Sequence, residues 1–361
     1  MKKLREGVST GSCMTGAAIA SAIWQLSGKC PESVCVRAPI GRDLYLDVVP
    51  IEYGVCAVVK DGGDDIDVTD GCSVIVRVIV HEEDGEIRFV GKEGIGVVTL
   101  EGLKLPVGEP AINPVPRQMA TKALRKIIGE KAATLEVSIP NGAVLAKKTF
   151  NERLGVIGGL SILGTTGIVR PMSQEAMRDS ITQEMRVYRA QGNDSIVFVL
   201  GTTGENALRD LYGEMKAVLQ VSNFIGDMLD EAVDQGFKNI FIGGFVGKLV
   251  KVAAGTMNTH SHIADGRLET ICTHAALAGV NINIIRKIYN CVTTKKALEI
   301  MREENLLYIW ESIVQKAEYH CQKRVREEAK VAVVFLDENN KILAESQNVN
   351  KMRQEVFLCT D

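Results

Sequence analysis

Five aspartates, Asp61, Asp64, Asp65, Asp67 and Asp70, crowd into KDGGDDIDVTDG at 60–71. Carboxylates this close raise one another's pKa, which would supply a general base near neutrality. The same stretch also reads as a solvated acidic turn. Its spacing resembles a calcium loop only in part, because no glutamate closes the twelve-residue frame. NTHSHIAD at 258–265 sets His260 and His262 two apart, with Asp265 three further on. An HxH pair can ligate zinc, but a third ligand is missing nearby: His274 stands nine residues beyond Asp265 in an alanine-rich stretch. The missing ligand counts against a metal site. A hydrogen-bonded His260–Asp265 pair working on an organic substrate is the preferred reading. A metal-dependent hydrolase using His260, His262 and Asp265 is the rival.

A second group of residues suits binding. LGTTG occurs twice, at 163–167 and 200–204, and GGF follows at 243–245. Each sits after an apolar run that reads as a strand. Glycine there lets the chain turn tightly beyond the strand's carboxyl end, where helix N-termini offer free N–H groups. Gly164, Thr165, Thr166, Gly201, Thr202, Thr203, Gly243 and Gly244 are accordingly expected to line a cofactor crevice. Gly and Thr are also ordinary turn and cap residues. GKEGIG at 91–96 matches a dinucleotide fingerprint poorly, since no helix follows it. Arg117, Arg153, Arg170, Lys248 and Lys251 lie beside glycine- or proline-rich loops and point to an anionic small-molecule substrate. GEPAINPVPRQM at 108–119, with three prolines, would make a stiff wall for it.

The elements that must carry these residues fall into two patterns. Residues 1–151 read as α+β. A helix over 15–26 stops at Gly28, and strands at 34–37, 44–49, 55–60, 74–81 and 86–90 are joined by hairpin turns at GRD and EEDG. A helix runs from Pro116 to Ile128, and PNG joins strands 135–139 and 144–148. The sheet should be largely antiparallel. Residues 152–330 alternate strand and helix: strands 160–163, 196–200, 240–243 and 282–285, with helices at 174–190, 206–234, 246–254, 295–304 and 307–328. That pattern predicts a parallel, doubly wound, Rossmann-like sheet. Strands 331–336 and 341–344 form a terminal hairpin within 331–361 that could join either domain.

At 361 residues, two domains are expected. A net charge of −3 argues against nucleic-acid binding. Nine irregularly spaced cysteines read as reduced thiols of a cytoplasmic protein rather than a disulfide framework. Glu6 and the polar STGS stretch interrupt the one run that could pass for a secretory leader, and no apolar run is long enough to span a membrane. The 34 glycines, beside 5% aromatics, suggest backbone brought close to something.

Taken together, STGSC at 9–13, KDGGDDIDVTDG at 60–71, GIGVVTLEGL at 94–103, GEPAINPVPR at 108–117, ERLGVIGGLSILGTTGIVRPMS at 152–173 and GFVGKLVKVAAGTMNTHSHIAD at 244–265 resemble one family. This is the CbiD family, the cobalt-precorrin-5B C-1 methyltransferases of anaerobic cobalamin biosynthesis. Ser9 stands where threonine is common, and the tail beyond about 345 carries no motif. The resemblance implies methyl transfer from S-adenosylmethionine to C-1 of a cobalt-bearing tetrapyrrole, with cobalt arriving only inside the substrate, so that no protein metal centre is expected. The family is unlike the standard tetrapyrrole methylases, so cofactor contacts must be argued from residues. The expectation gives the GTTG loops and Gly243–Gly244 to the cofactor. It gives Arg117, Arg153, Lys248 and Lys251 to the ring's acetate and propionate groups. His260, Asp265, Asp61, Asp64 and Asp65 remain alternative bases. A non-catalytic tetrapyrrole carrier, a homo-oligomer and transient contact with neighbouring pathway enzymes stay open.

Overall fold

The computed structural model describes residues 4–171 and 173–357. Its contacts divide the chain into two units, Met1–Ala176 and Met177–Asp361. The expected boundary after residue 151 is thus displaced, because residues 152–171 pair with the first unit.

In that unit, β1 (Gly7–Val8) leads directly into α1 (Thr10–Ser27), whose N-cap Ser9 accepts a hydrogen bond from the Ser12 N–H at 3.1 Å. Gly28, at φ 75°, ends it in the left-handed conformation that favours glycine. Every residue from Thr10 to Ala22 is buried, so the small side chains of TGSCMTGAAIASA make α1 a central rather than a surface helix. It packs on β5 (Val55–Val59), β6 (Ser73–Asp84) and α2 (Pro114–Ile128). The strands β2 (Ser33–Arg37) and β3 (Asp43–Asp47) form the expected hairpin. The main sheet has the order β4 (Val49–Glu52), β5, β6, β9 (Lys131–Ser138), β7 (Ile87–Gly91), antiparallel except for the β9–β7 pair.

Two local expectations fail here. EEDG does not close a hairpin, because β9 lies between β6 and β7. PNG does not close one either: the chain enters a short helix, α3 (Gly142–Ala146). A Cβ on Gly142 would lie 2.3 Å from the Gly94 carbonyl oxygen, and this close approach directs the chain away from a strand. The predicted strand at 160–163 is reduced to bridges of Leu160 with Ile95 and Ile162 with Ile112. Beside it β8 (Val97–Val98) pairs with β10 (Val156–Ile157), and β11 (Ile168–Val169) pairs with β1.

The second unit follows α4 (Gln174–Ala190) with β12 (Ser195–Val199), α5 (Thr202–Tyr212), β13 (Val218–Gln220), α6 (Ile225–Asp234), β14 (Asn239–Phe245) and α7 (Val246–Ala253). Next come α8 (Arg267–Leu277), α9 (Ile282–Tyr289), α10 (Thr294–Glu303) and α11 (Ile309–Arg324). The chain then forms β15 (Lys330–Leu336), β16 (Ile342–Glu345) and α12 (Val349–Val356). The strand order is β13-β12-β14-β15-β16, with only the β15–β16 pair antiparallel. The terminal hairpin therefore joins this sheet. Ile196 and Phe198 face one apolar cluster and Val197 and Val199 another, the period-2 signature of a strand buried on both faces.

The single helix expected over 206–234 is two helices with β13 between them. Gly213 caps α5, and Leu219 and Val221 join one cluster while Val218 joins the other. The strand expected at 282–285 is helical. Asn281 accepts from the Asn283 N–H at 2.9 Å as an N-cap, and Ile284, Ile285 and Ile288 share the core-facing side at helical spacing. The eight cysteines among the described residues are free thiols, with Cys30 and Cys56 sulfurs 3.7 Å apart. No described helix is long and apolar enough to cross a membrane.

Candidate functional site

The acidic loop of the first unit is held by its own cations and backbone. Arg5 grips both oxygens of Asp61, and the Arg5 N–H donates to Asp64 at 2.7 Å. The Gly62 N–H donates to Asp70, and Lys60 Nζ, only 2% exposed, meets Asp67 at 2.6 Å. Arg5 holds the Asp61 carboxyl below its ordinary value, reinforced by the Gly63 N–H. Burial pushes Asp67 up, but Lys60 and Thr69 outweigh it and leave its pKa lowered. For Asp61 and Asp67 this reverses the expected upward shift. Asp65 lies half-buried in the same loop. A carboxylate whose folded pKa is below its unfolded value contributes stability that is present above the ordinary 3.8 and lost as pH falls through the lowered value. Thermal midpoints should therefore hold steady near neutrality and drop below about pH 4. Asp67→Asn, which strands the buried Lys60 charge, should cost about 3 kcal/mol at pH 7 and flatten that acid limb. A wild-type-like denaturation midpoint for the variant would contradict this.

The two GTTG turns sit in different units. The first is used to seat α1: the Gly11 N–H donates to Leu163 O at 3.0 Å, and Thr10 exchanges hydrogen bonds with Leu163. Thr166 bonds its own turn through Ile168. A Cβ on Gly164 would sit 2.4 Å from the Ser9 hydroxyl. Gly164, Thr165 and Thr166 are thus not at a strand end of the parallel sheet, contrary to expectation. Arg117 is also occupied: it donates to Ile112 O at 2.7 Å and to Glu109 at 2.9 Å, and lies over the Phe89 ring. Arg153 is exposed in the turn following Phe150.

The second GTTG is placed as expected. Gly201 caps α5 at the carboxyl end of β12, and Gly243 and Gly244 end β14, its parallel neighbour, just before α7. With β13 on the other side of β12, this is where the strand order reverses, the point at which parallel sheets of this kind generally open a crevice between diverging loops. Two helix N-termini, those of α5 and α7, start on it and offer free N–H groups. A Cβ on Gly201 or Gly247 would meet nothing within 4 Å, and one on Gly204 would reach only the Gly244 Cα at 3.8 Å. Gly243 differs, because a Cβ there would strike Leu208 at 2.4 Å; it is a packing glycine. Thr202 and Thr203 are exposed beside the open space.

Gln220 and Glu205 complete this edge and were missed by the sequence reading. Gln220 ends β13 and donates from Nε2 to Glu205 at 2.8 Å and to Thr202 at 3.3 Å, while Arg209 holds Glu205 from its other side at 3.0 Å. The available signal was the 19-residue spacing from Gly201 to Gln220, but it lay inside the stretch expected to be one helix.

The loop after α7 is anchored by Lys251. That side chain, only 3% exposed, donates to Thr259 O at 3.1 Å and Ala264 O at 2.9 Å, and burial lowers its pKa. Lys251 is therefore a loop-tying residue rather than a ring-binding one; Lys248 alone of the pair is exposed. Lys251→Met should leave two carbonyls unpaired and cost about 3 kcal/mol, with faster proteolysis within 256–265. Unchanged proteolysis would remove the anchor. Asp265 pairs with Arg267 at 2.5 and 2.8 Å, which holds its carboxyl below the ordinary value, so it is not the partner of His260. His260 Nδ1 instead accepts the His262 N–H at 3.2 Å, placing the neutral ring's proton on Nε2. His260 is thus set to donate from Nε2. Among the described residues, no group of three or more His, Cys, Asp or Glu is arranged to hold a metal.

Residues 1–171 match the family model described as CbiD, and residues 258–347 match the one described as CbiD, C-terminal domain. The chain is 41% identical to the cobalt-precorrin-5B C(1)-methyltransferase of Photorhabdus laumondii, over 97% of this chain and 94% of that one. It is 38% identical to the proteins of the same name from Salmonella arizonae (98% and 96%) and Alkaliphilus metalliredigens (97% and 94%). A crystal structure of cobalamin biosynthesis protein (cbiD) from Archaeoglobus fulgidus is 28% identical, covering 77% of this chain and 85% of that one with a TM-score of 0.39. Near-complete coverage on both sides at this identity settles the affiliation: the chain belongs to the CbiD family.

Proposed function

We propose that the protein methylates C-1 of cobalt-precorrin-5B to give cobalt-precorrin-6A in cobalamin biosynthesis, with S-adenosylmethionine bound at the β12/β14 crevice of a Rossmann-like second unit. The activity follows from the full-length relationship to enzymes of that name. The cofactor's place rests on one observation: the glycine cradle at Gly201, Gly204 and Gly247 is open where two helix N-termini meet the switch point of a parallel sheet. The order β13-β12-β14-β15 matches one of the two common doubly wound arrangements, in which ligands bind at this point. Helix N–H groups at Thr202–Gly204 and at Val246–Lys248 suit a carboxylate, and Gln220 stands at the neighbouring strand end, where ribose hydroxyls are met.

Bound there, a sulfonium supplies an already activated methyl group, and the cobalt enters inside the substrate. The protein's task is then positioning in a water-poor site. His260 donates from Nε2 toward the ring, and exposed Lys248 offers charge to its acetate and propionate arms. Asp61 and Asp265, each gripped by an arginine, are weak bases, so the proton released as double bonds rearrange goes to water or to the substrate's own carboxylates. The protein works in the cytoplasm on a small-molecule tetrapyrrole. His260→Ala should lower turnover by about 10- to 100-fold without changing the melting temperature. Full turnover would remove His260 from the site. For the function itself, purified protein is incubated anaerobically with methyl-labelled S-adenosylmethionine and cobalt-precorrin-5B. Label in the ring is expected, and its absence would overturn the proposal.

A further inference from the structure

Beside the Lys251-tied loop lies an open surface pocket offering about 500 Å³. The last turn of α11 supplies His320, Lys323 and Arg324, and Arg326 follows; Gly255 and Met257 close the opposite wall. The cavity's one carboxylate, Asp230, is used up by Arg324, which meets it at 2.9 and 2.5 Å while also bonding Gly226 O at 3.1 Å. Among the described residues, no carboxylate forms an ion pair with Lys323 or Arg326. Nearby Glu318 and Glu327 turn instead to Asn348 and Gln322. The rim is therefore net positive in a chain whose overall charge is −3.

Two further features fit a binding role. Arg326 and Glu327 hold φ of 51° and 63°, consecutive left-handed residues that carry side chains. That backbone costs on the order of 1–2 kcal/mol per residue and is typically kept where a site needs it. Burial, followed by Lys316 and Lys323, lowers the pKa of His320 and favours its neutral ring, and Lys316 and Lys323 place two cations beside it.

We infer that this cavity receives carboxylate arms of the tetrapyrrole, with His320, Lys323 and Arg326 as the donors. The inference rests on the proposed function and extends it to residues outside every recognised motif. Loop continuity supports it. Gly255 and Met257 belong to the segment that leads from α7, which starts on the proposed cofactor crevice, to His260. The Gly226 N–H pins that segment through Met257 O at 3.0 Å. A basic pocket there holds the ring's edge and takes no part in the bond changes, so its loss should raise KM and spare kcat.

The test titrates full-length protein with uroporphyrin III, a tetrapyrrole octacarboxylate, and with its octamethyl ester. The variants are the double change Lys323→Gln/Arg326→Asn, in which Asn tolerates the left-handed backbone, and His320→Gln. Wild type should bind the acid and not the ester. The double variant should keep its melting temperature, bind the acid about tenfold or more weakly, and show a raised KM at unchanged kcat for cobalt-precorrin-5B. Unchanged Kd and KM in both variants would overturn the inference while leaving the methyltransferase reading intact. Loss of inorganic phosphate binding alone, with ring binding unaffected, would also overturn it by assigning the cavity to a free anion. If wild type transfers no methyl yet binds the acid through these residues, the methyltransferase reading fails and the cavity stands as a carrier's site.

Discussion

Gly94→Ala should unfold the first unit or come close to it, with a cost of about 4 kcal/mol or more. Gly94 has φ 72°, and an added Cβ would lie 1.9 Å from Ile139 O and 2.9 Å from the Gly142 nitrogen. Nothing there can give way, because three backbone segments meet at this point. A Cβ on Gly142 would strike Gly94 O at 2.3 Å, and one on Gly159 would strike the Gly94 carbonyl carbon at 2.4 Å. The segments are also hydrogen-bonded: the Leu160 N–H donates to Gly94 O at 2.8 Å, and the Ile139 N–H to Glu93 O at 2.9 Å. Gly158→Ala is the control. It shares the positive φ, 84°, but its Cβ would meet nothing within 4 Å, so it should cost only about 1 kcal/mol. Circular dichroism melts of the two proteins should differ by roughly 10 °C for a unit this size. Equal midpoints would mean that the backbone crossing is loose.

That crossing shows what composition leaves open. Many glycines suggested backbone brought close to something, and at several in the first unit that something is other backbone: Gly7 against Gly62, Gly63 against Arg5, Gly94 against Gly142 and Gly159. Sequence separations of about 50–65 residues make such contacts invisible to local pattern reading. The same distance effect hid β9 between β6 and β7, since turn chemistry specifies neighbours in sequence and not a strand inserted from 40 residues away. Periodicity was reliable where one face is clearly apolar, as in α2, and unreliable over 206–234. There helical and alternating patterns overlap across a three-residue strand too short to announce itself.

Residue types in the proposed site were legible; their partners were not. Lys251 and Lys248 look alike in sequence, but one side chain is buried under two carbonyls and the other is exposed. Asp265 was paired with His260 on spacing alone, whereas Arg267, two residues on, takes it by a bidentate contact that leaves the histidine to its own backbone neighbour. The duplicated LGTTG follows a strand of the parallel sheet in one copy only. Identical letters serve a strand end at 200–204 and a helix seat at 163–167, because what precedes them differs: a five-residue parallel strand in one case and isolated bridges in the other.

The surviving copy supports the sharpest functional test. Gly201→Leu should reduce methyl transfer by about 100-fold or more while leaving the melting temperature within about 1 °C of wild type. The φ of Gly201 is 165°, extended backbone open to any residue, and its Cβ would meet no atom within 4 Å. The backbone and an added Cβ are therefore accommodated without strain here. Four added heavy atoms would fill the space between the N-termini of α5 and α7, displacing a bound molecule rather than any part of the protein. Gly243→Leu should behave in the opposite way, melting early because its Cβ strikes Leu208. Calorimetric titration with S-adenosylhomocysteine separates the outcomes. Binding lost in Gly201→Leu at unchanged stability places the cofactor at the switch point. Undiminished binding and turnover in that variant would put it elsewhere, since no ligand resting on this cradle could tolerate an isobutyl group in its midst.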